Sequence, residues 1–78
     1  MLPKRLKQCR KELELTQQQV ADKLGLTRQA YTWYEQGKRT PNNEMLCKIA
    51  DFFHVSTDYL LGRTDNKKWK ILNEDELM

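Results

Sequence analysis

Between Gly25 and Gly37 the chain reads LTRQAYTWYEQ. Four hydrogen-bonding side chains, Thr27, Arg28, Gln29 and Thr32, are crowded around the rings of Tyr31, Trp33 and Tyr34. Arginine offers a planar fork of donors, glutamine a donor beside an acceptor, and threonine a hydroxyl beside a methyl. Those are the groups that suit base edges in a major groove: Arg on guanine O6 and N7, Gln on adenine N6 and N7, and Thr or an apolar ring on a thymine methyl. Such chemistry needs one rigid element to present them on one face. Leu26, Ala30 and Tyr34 recur at every fourth residue with Tyr31 beside them, which predicts a helix that buries this row. Arg28, Gln29, Thr32, Trp33 and Gln36 are then turned outward. A merely solvated helix face, with Trp33 covered by the C-terminal tail or by a second subunit, fits the same spacing.

Other chemistries find little to work with. At 78 residues, 38% of them hydrophobic, the chain can close one domain, and a domain of this size buries only about 60% of its unfolded surface. A deep catalytic cleft would leave no core. There is no Gly-rich phosphate loop and no His/Cys/Asp arrangement, and the one carboxylate cluster, Glu74-Asp75-Glu76, lies at the acidic end of the chain. No enzymatic activity is expected. Cys9 and Cys47 have no metal-like spacing and His54 is the single histidine, so no metal or cofactor is expected and the thiols read as reduced and structural. No apolar run of about 18 residues and no signal-peptide core are present, which points to a soluble, cytoplasmic protein without a membrane partner. Nor is a small-molecule ligand evident. The net charge of +3 is uneven: residues 1–41 hold nine Lys/Arg against four acids, and residues 42–78 hold five against seven. A basic first half suggests a surface that faces a polyanion, although scattered solvated lysines would give the same count.

Five short helices account for the periodicity. Leu2, Leu6, Cys9 and Leu13 form one stripe, with Pro3 in the first turn, so a helix is predicted over 3–13 with Lys4, Arg5, Lys7 and Lys11 on its solvated face. Thr16 stands three residues before Gln19, as a capping box requires, and Val20, Ala21 and Leu24 give a second helix one buried stripe that ends at Gly25. Thr27 caps again only two residues later. The connection is too tight for anything but two helices meeting at a steep angle. Pro41 with Asn42-Asn43 opens a fourth helix on Leu46, Ile49, Ala50 and Phe53, and His54 is expected to close it in a left-handed conformation. Ser56 caps a fifth, with Asp58 in its first turn, Leu60 and Leu61 closing the core and Gly62 stopping it.

The stretches TQQQVADKLGLTRQAYTWYEQGKRTP and LCKIADFFHVSTDYLLG resemble the helix-turn-helix domain of phage repressors and Cro proteins. The likeness covers about residues 3–63 and rests on the Gln after the first cap, Ala21 and Gly25 at the turn, Glu35 to Gly37, and the VSTDYLLG end. It implies an all-α, five-helix phage-repressor-like DNA-binding domain at 1–62, with the helix-turn-helix at 16–35 and a short C-terminal tail or linker at 63–78. It implies a sequence-specific DNA-binding transcriptional regulator, a repressor, of the Xre-like kind. By that resemblance Thr27, Arg28, Gln29, Thr32 and Trp33 lie in the major groove as base readers. Gln17 and Gln18 at the start of the second helix, the loop Lys38-Arg39-Thr40, and Asn42 lie over the DNA backbone. Arg10 and Glu35 match positions that form an ion pair in some members, one that would orient the recognition helix more than stabilise the fold. The chain departs from the family at Asn43, usually apolar, at His54, usually Gly, and at Trp33, commonly a polar or basic reader, so packing around the fourth helix and the target sequence are expected to be its own.

A single copy would read only about 4 to 6 base pairs, which discriminates poorly against a genome of competing sites. The expected partners are therefore a second copy of the chain and a pseudo-palindromic duplex operator. The rival reading is a protein-interaction module of the same fold, such as an antitoxin or anti-repressor adaptor, favoured by an outward Trp33 and by the apolar knot of Trp69, Ile71 and Leu72 in the tail.

Overall fold

Four of the helices begin on a side chain that accepts a hydrogen bond from the first turn, and this local chemistry sets the boundaries. In the computed structural model, which describes residues 1–67, α1 spans Leu2–Glu12, α2 Gln17–Leu24, α3 Arg28–Gln36, α4 Asn43–Phe53 and α5 Thr57–Leu60. No strand occurs among the described residues. Thr16 accepts from the Gln19 N–H while the Gln19 side chain accepts from the Thr16 N–H, closing both halves of the capping box. Thr27, Asn42 and Ser56 cap α3, α4 and α5 in the same way. The helices end as locally: Gly25 (φ 72°), Gly37 (φ 75°) and His54 (φ 57°) each turn left-handed. Glycine does so freely, whereas His54 carries a steric cost of about 1 kcal/mol that the surrounding fold must offset.

Packing follows the predicted stripes on α2, α3 and α4. α1 and α2 both lie against α3, α4 packs on α2 and α5, and α1 closes onto α5. Leu6, Val20, Tyr31, Ile49 and Leu60 are fully enclosed at the centre, with Leu24, Leu46, Ala50 and Phe53 around them. Tyr31 and Tyr34 are therefore the core rings of α3. Cys9 is buried and Cys47 exposed, both as free thiols, and burial raises the Cys9 pKa above its ordinary value.

Three expectations need correction. Leu13 does not complete the α1 stripe: the helix stops at Glu12, Glu14 turns left-handed (φ 57°), and Leu15 packs on the core instead while Leu13 stays 49% exposed. The Leu15 N–H bonds back to the Arg10 carbonyl, which closes this reversal. At the other end of the fold Leu61 is 40% exposed, and Tyr59 joins Leu60 in the core in its place, because Leu61 is already the residue on which α5 ends. Arg5 is not part of a solvated basic face. Its guanidinium lies 4.1 Å over the Tyr59 ring and donates to the carbonyls of Tyr59 (3.0 Å) and Thr64 (2.8 Å) and to the Asp65 carboxylate (2.7 Å). Residues 64–67 are thereby laid along α1, where the Lys67 ammonium also meets Glu12 at 3.0 Å. The Trp69, Ile71 and Leu72 knot and the acidic cluster at 74–76 lie outside the described residues.

The corrected stripe is measurable by urea unfolding. Leu6→Ala should lose about 3 kcal/mol, and Leu13→Ala should stay within about 0.5 kcal/mol of the parent. A comparable loss at both positions would restore Leu13 to the core.

Candidate nucleic-acid interface

The placement of α3 is set by a buried carboxylate. Glu35 has only 2% of its side chain exposed and Arg10 only 12%. Arg10 Nε donates to Glu35 Oε2 at 2.7 Å and Arg10 Nη2 to Oε1 at 3.1 Å, a two-pronged contact across helices. The third donor group of Arg10, Nη1, reaches the Leu15 carbonyl at 2.9 Å and so holds the α1–α2 connection as well. Tyr31, one turn earlier on α3, donates its hydroxyl to Glu35 Oε2 at 2.5 Å, and Gln17 Nε2 donates to Oε1 at 3.1 Å. Gln17 Oε1 in turn accepts from the Thr32 hydroxyl at 3.1 Å. Arg10 and Glu35 were singled out by sequence; the roles of Tyr31, Gln17 and Thr32 around them were not. Only the Tyr31-to-Glu35 spacing of four residues hinted at it, since such residues share a helix face. The approach of Gln17 to Thr32 depends on the angle between α2 and α3.

The titration of these groups reflects the same geometry. Burial acts most strongly on the Glu35 carboxyl and raises its pKa, but the hydrogen bonds from Arg10, Tyr31 and Gln17 together outweigh it and hold the group below the ordinary value of 4.5. Arg10 is raised, chiefly by its hydrogen bond to Glu35. Tyr31 is also raised, first by burial and then by its bond to Glu35, so its hydroxyl remains a donor at any physiological pH.

Outside this network, α3 presents its first turn to solvent. Thr27, Arg28 and Gln29 are exposed, and among the described residues the side chains of Arg28 and Gln29 make no intramolecular hydrogen bond. The Thr27 oxygen accepts from the Ala30 N–H, which leaves its hydroxyl proton to donate elsewhere. Thr32 and Trp33 are half-buried rather than fully outward. The hydroxyl proton of Thr32 is committed to Gln17, so its methyl and a remaining lone pair are what it can offer. Over the Trp33 ring, 5.0 Å from its centre, lies the guanidinium of Arg39. Lys38, Arg39 and Thr40 form an exposed loop between Gly37 and the buried Pro41. Asn42 uses its side-chain oxygen to cap α4 through the Met45 N–H, and its amide donors remain. Gln17 and Gln18 are the first residues of α2, where backbone N–H groups have no intrahelical acceptor and the helix dipole is positive. The Gln18 side chain donates to Asp22 at 2.8 Å, which sets a carboxylate beside it and leaves the backbone N–H as its better contact for an anion.

Two helices joined by a glycine-centred turn, the second offering Arg and Gln from an exposed first turn, define a helix-turn-helix unit. Residues 6–60 match the helix-turn-helix family model. The uncharacterized HTH-type transcriptional regulator YqaE of Bacillus subtilis is 48% identical over 82 residues, covering 97% of this chain and 71% of its own length. The HTH-type transcriptional regulator ImmR of the same organism is 38% identical, covering 99% of this chain and 58% of itself. The cryptic phage CTXphi transcriptional repressor RstR of Vibrio cholerae is 39% identical, with 99% and 64% covered. The chain belongs to the helix-turn-helix family of DNA-binding transcriptional regulators.

The Glu35 network gives a pH signature. Because the folded pKa of Glu35 lies below its ordinary 4.5, the unfolded chain takes up that proton first. The stabilisation is complete above about pH 4.5 and is lost as pH falls through the lower folded value. At neutral pH Glu35→Gln, which leaves Arg10 without its counter-charge, should be less stable by about 3 kcal/mol. Thermal melts of parent and variant should converge as pH falls below about 4.5. Parallel curves across that range would show that Glu35 carries no such coupling.

Proposed function

We propose that this protein is a transcriptional repressor that lays α3 in the major groove of a specific duplex. The observation that carries the reading is the pairing of a fixed scaffold with a free edge. Glu35 and its donors lock α3 against α1 and α2, while Arg28 and Gln29 project unpaired among the described residues from the helix's first turn. Arg28 suits guanine O6 and N7, and Gln29 suits adenine N6 and N7. Thr27 can donate its hydroxyl, and Thr32 supplies a methyl against thymine. Phosphates are met by the N–H groups of Gln17 and Gln18 at the positive end of α2, by Lys38, Arg39 and Thr40 in the following loop, and by the Asn42 amide. Repression is supported by the phage repressor among the relatives. No helix among the described residues is long and apolar enough to cross a membrane, in keeping with a regulator that works in the cytoplasm, where its DNA is. The rival of a protein-docking module loses one of its two supports, because the Trp33 ring is half-buried under a cation rather than bare. Its other support, Trp69, lies outside the described residues.

The chain acts as a homodimer in this reading, with recognition helices about 34 Å apart on a pseudo-palindrome, since half-sites on one face of the duplex repeat once per turn. Sedimentation at micromolar concentration should show a dimer at least on operator DNA. Monomer alone, free and bound, would remove this part of the reading.

Selection of sites from random duplexes supplies the operator for the main test. Arg28→Ala and Gln29→Ala should each weaken the best site by about 1 to 3 kcal/mol and relax preference at one base pair. Lys38→Ala should weaken all sequences alike and make the dependence of log affinity on log salt shallower by about one. If both kinds of variant lose affinity with base preference intact, α3 does not read the groove. In a promoter fusion the parent should lower transcription; an increase would make the protein an activator.

A further inference from the structure

Trp33 and Arg39 were assigned to different tasks by the sequence, one to a base and the other to a phosphate, and the fold brings them into contact. The Arg39 guanidinium lies 5.0 Å above the centre of the Trp33 ring. The contact is built into the backbone. Gly37 ends α3 in a left-handed conformation (φ 75°, ψ 12°), and the Lys38 N–H then donates to the Trp33 carbonyl at 2.9 Å. This closure reverses the chain at once, so that the residue after Lys38 comes back along the helix to the side chain whose carbonyl holds the turn. Trp33 therefore anchors the loop twice, through its main chain and through its ring. Trp33 is half-buried and Arg39 exposed, as expected of a fixed platform beneath a cation that still meets solvent.

We propose that Trp33 and Arg39 form one DNA-contacting unit, in which the indole face holds the Arg39 guanidinium in place for a backbone phosphate and Trp33 is a positioning residue for that contact rather than a base reader. The inference rests on the major-groove reading of α3 given above. A guanidinium stacks through its flat face and donates hydrogen bonds from its edge, so the two contacts use different parts of the group and do not compete. A lysine in the same place would have no such division, because its ammonium is a point charge that must choose. An exposed Arg ordinarily loses rotamer freedom when it is fixed against a phosphate; one already stacked has less to lose on binding. The ring face that carries Arg39 is no longer available to lie on a thymine methyl.

Two measurements on the full chain test this. In the free protein, the Arg39 δ-methylene protons should resonate upfield in the parent, from the ring current of Trp33, and return to ordinary positions in Trp33→Leu. Ordinary shifts in the parent would overturn the pairing. With a duplex selected by the parent protein and with a random duplex, Trp33→Leu should weaken both by the same factor of about three to five. It should also make the salt slope shallower by about one, as Arg39→Ala does. The two changes combined should cost no more than Arg39→Ala alone, and Trp33→Phe, which keeps a ring, should restore the parent's slope. A changed base preference in Trp33→Leu with the salt slope intact would make Trp33 a reader, and losses that multiply in the double variant would make the residues independent; either overturns the proposal. A parent that selects no duplex at all would remove the DNA reading itself, and the ring-current shift in the free protein tells that failure from a failure of the pairing.

Discussion

A carboxylate taken out of water has to be met by donors, and the donors that meet Glu35 come from three separate elements: Arg10 on α1, Gln17 at the start of α2, and Tyr31 on α3 itself. No one of these helices can shift along or rotate against the others without stranding a buried charge, which costs several kcal/mol. The apolar contacts of Leu6, Val20 and Tyr31 would tolerate small slippage, since dispersion and burial are not directional. The ionic contact does not. What the network contributes is therefore orientation more than depth of stability, because the cost of desolvating Arg10 and Glu35 offsets much of their attraction. Arg10 extends the constraint into the α1–α2 connection through the Leu15 carbonyl, so one guanidinium fixes both α3 and the connection that leads into α2.

The surface of the domain is organised by what the interior leaves over. Of the basic residues in the first half, Arg10 is consumed by Glu35 and Arg5 by Tyr59, Thr64 and Asp65. Lys4, Lys7 and Lys11 share one side of α1 with Gln8 and Glu12. The positive charge that remains in and beside the helix-turn-helix unit is then that of Lys23, Arg28, Lys38 and Arg39. A count of charges along the chain overstates the polyanion-facing surface, because arginine is also the side chain best able to bridge helices from within.

The loop between α3 and α4 is held at both ends by local backbone chemistry. The left-handed Gly37 and the Lys38 bond to the Trp33 carbonyl return the chain onto α3, and the cap of Asn42 starts α4 only a few residues later. Lys38, Arg39 and Thr40 are thus held between two fixed ends. Their exposure is therefore combined with a short, anchored backbone, which lowers the ordering cost of any contact they make.

Most of the local chemistry was written in the chain. The capping residues Thr16, Thr27, Asn42 and Ser56, the terminating Gly25 and Gly37, and the left-handed His54 each act on backbone groups within a few residues, so neighbours in sequence sufficed to place them. The buried stripes of α2, α3 and α4 followed from period alone. The stripes failed at Leu13 and Leu61, where a helix ended and its periodicity ceased to govern direction. What the sequence could not determine was how the helices meet. The Arg10–Glu35 pair was implied by resemblance alone, and whether Gln17 reaches Thr32 and whether Arg39 finds the ring of Trp33 depend on crossing angles and loop closure. Those are decided by the summed packing of residues far apart in the chain, and only the tertiary structure carries them.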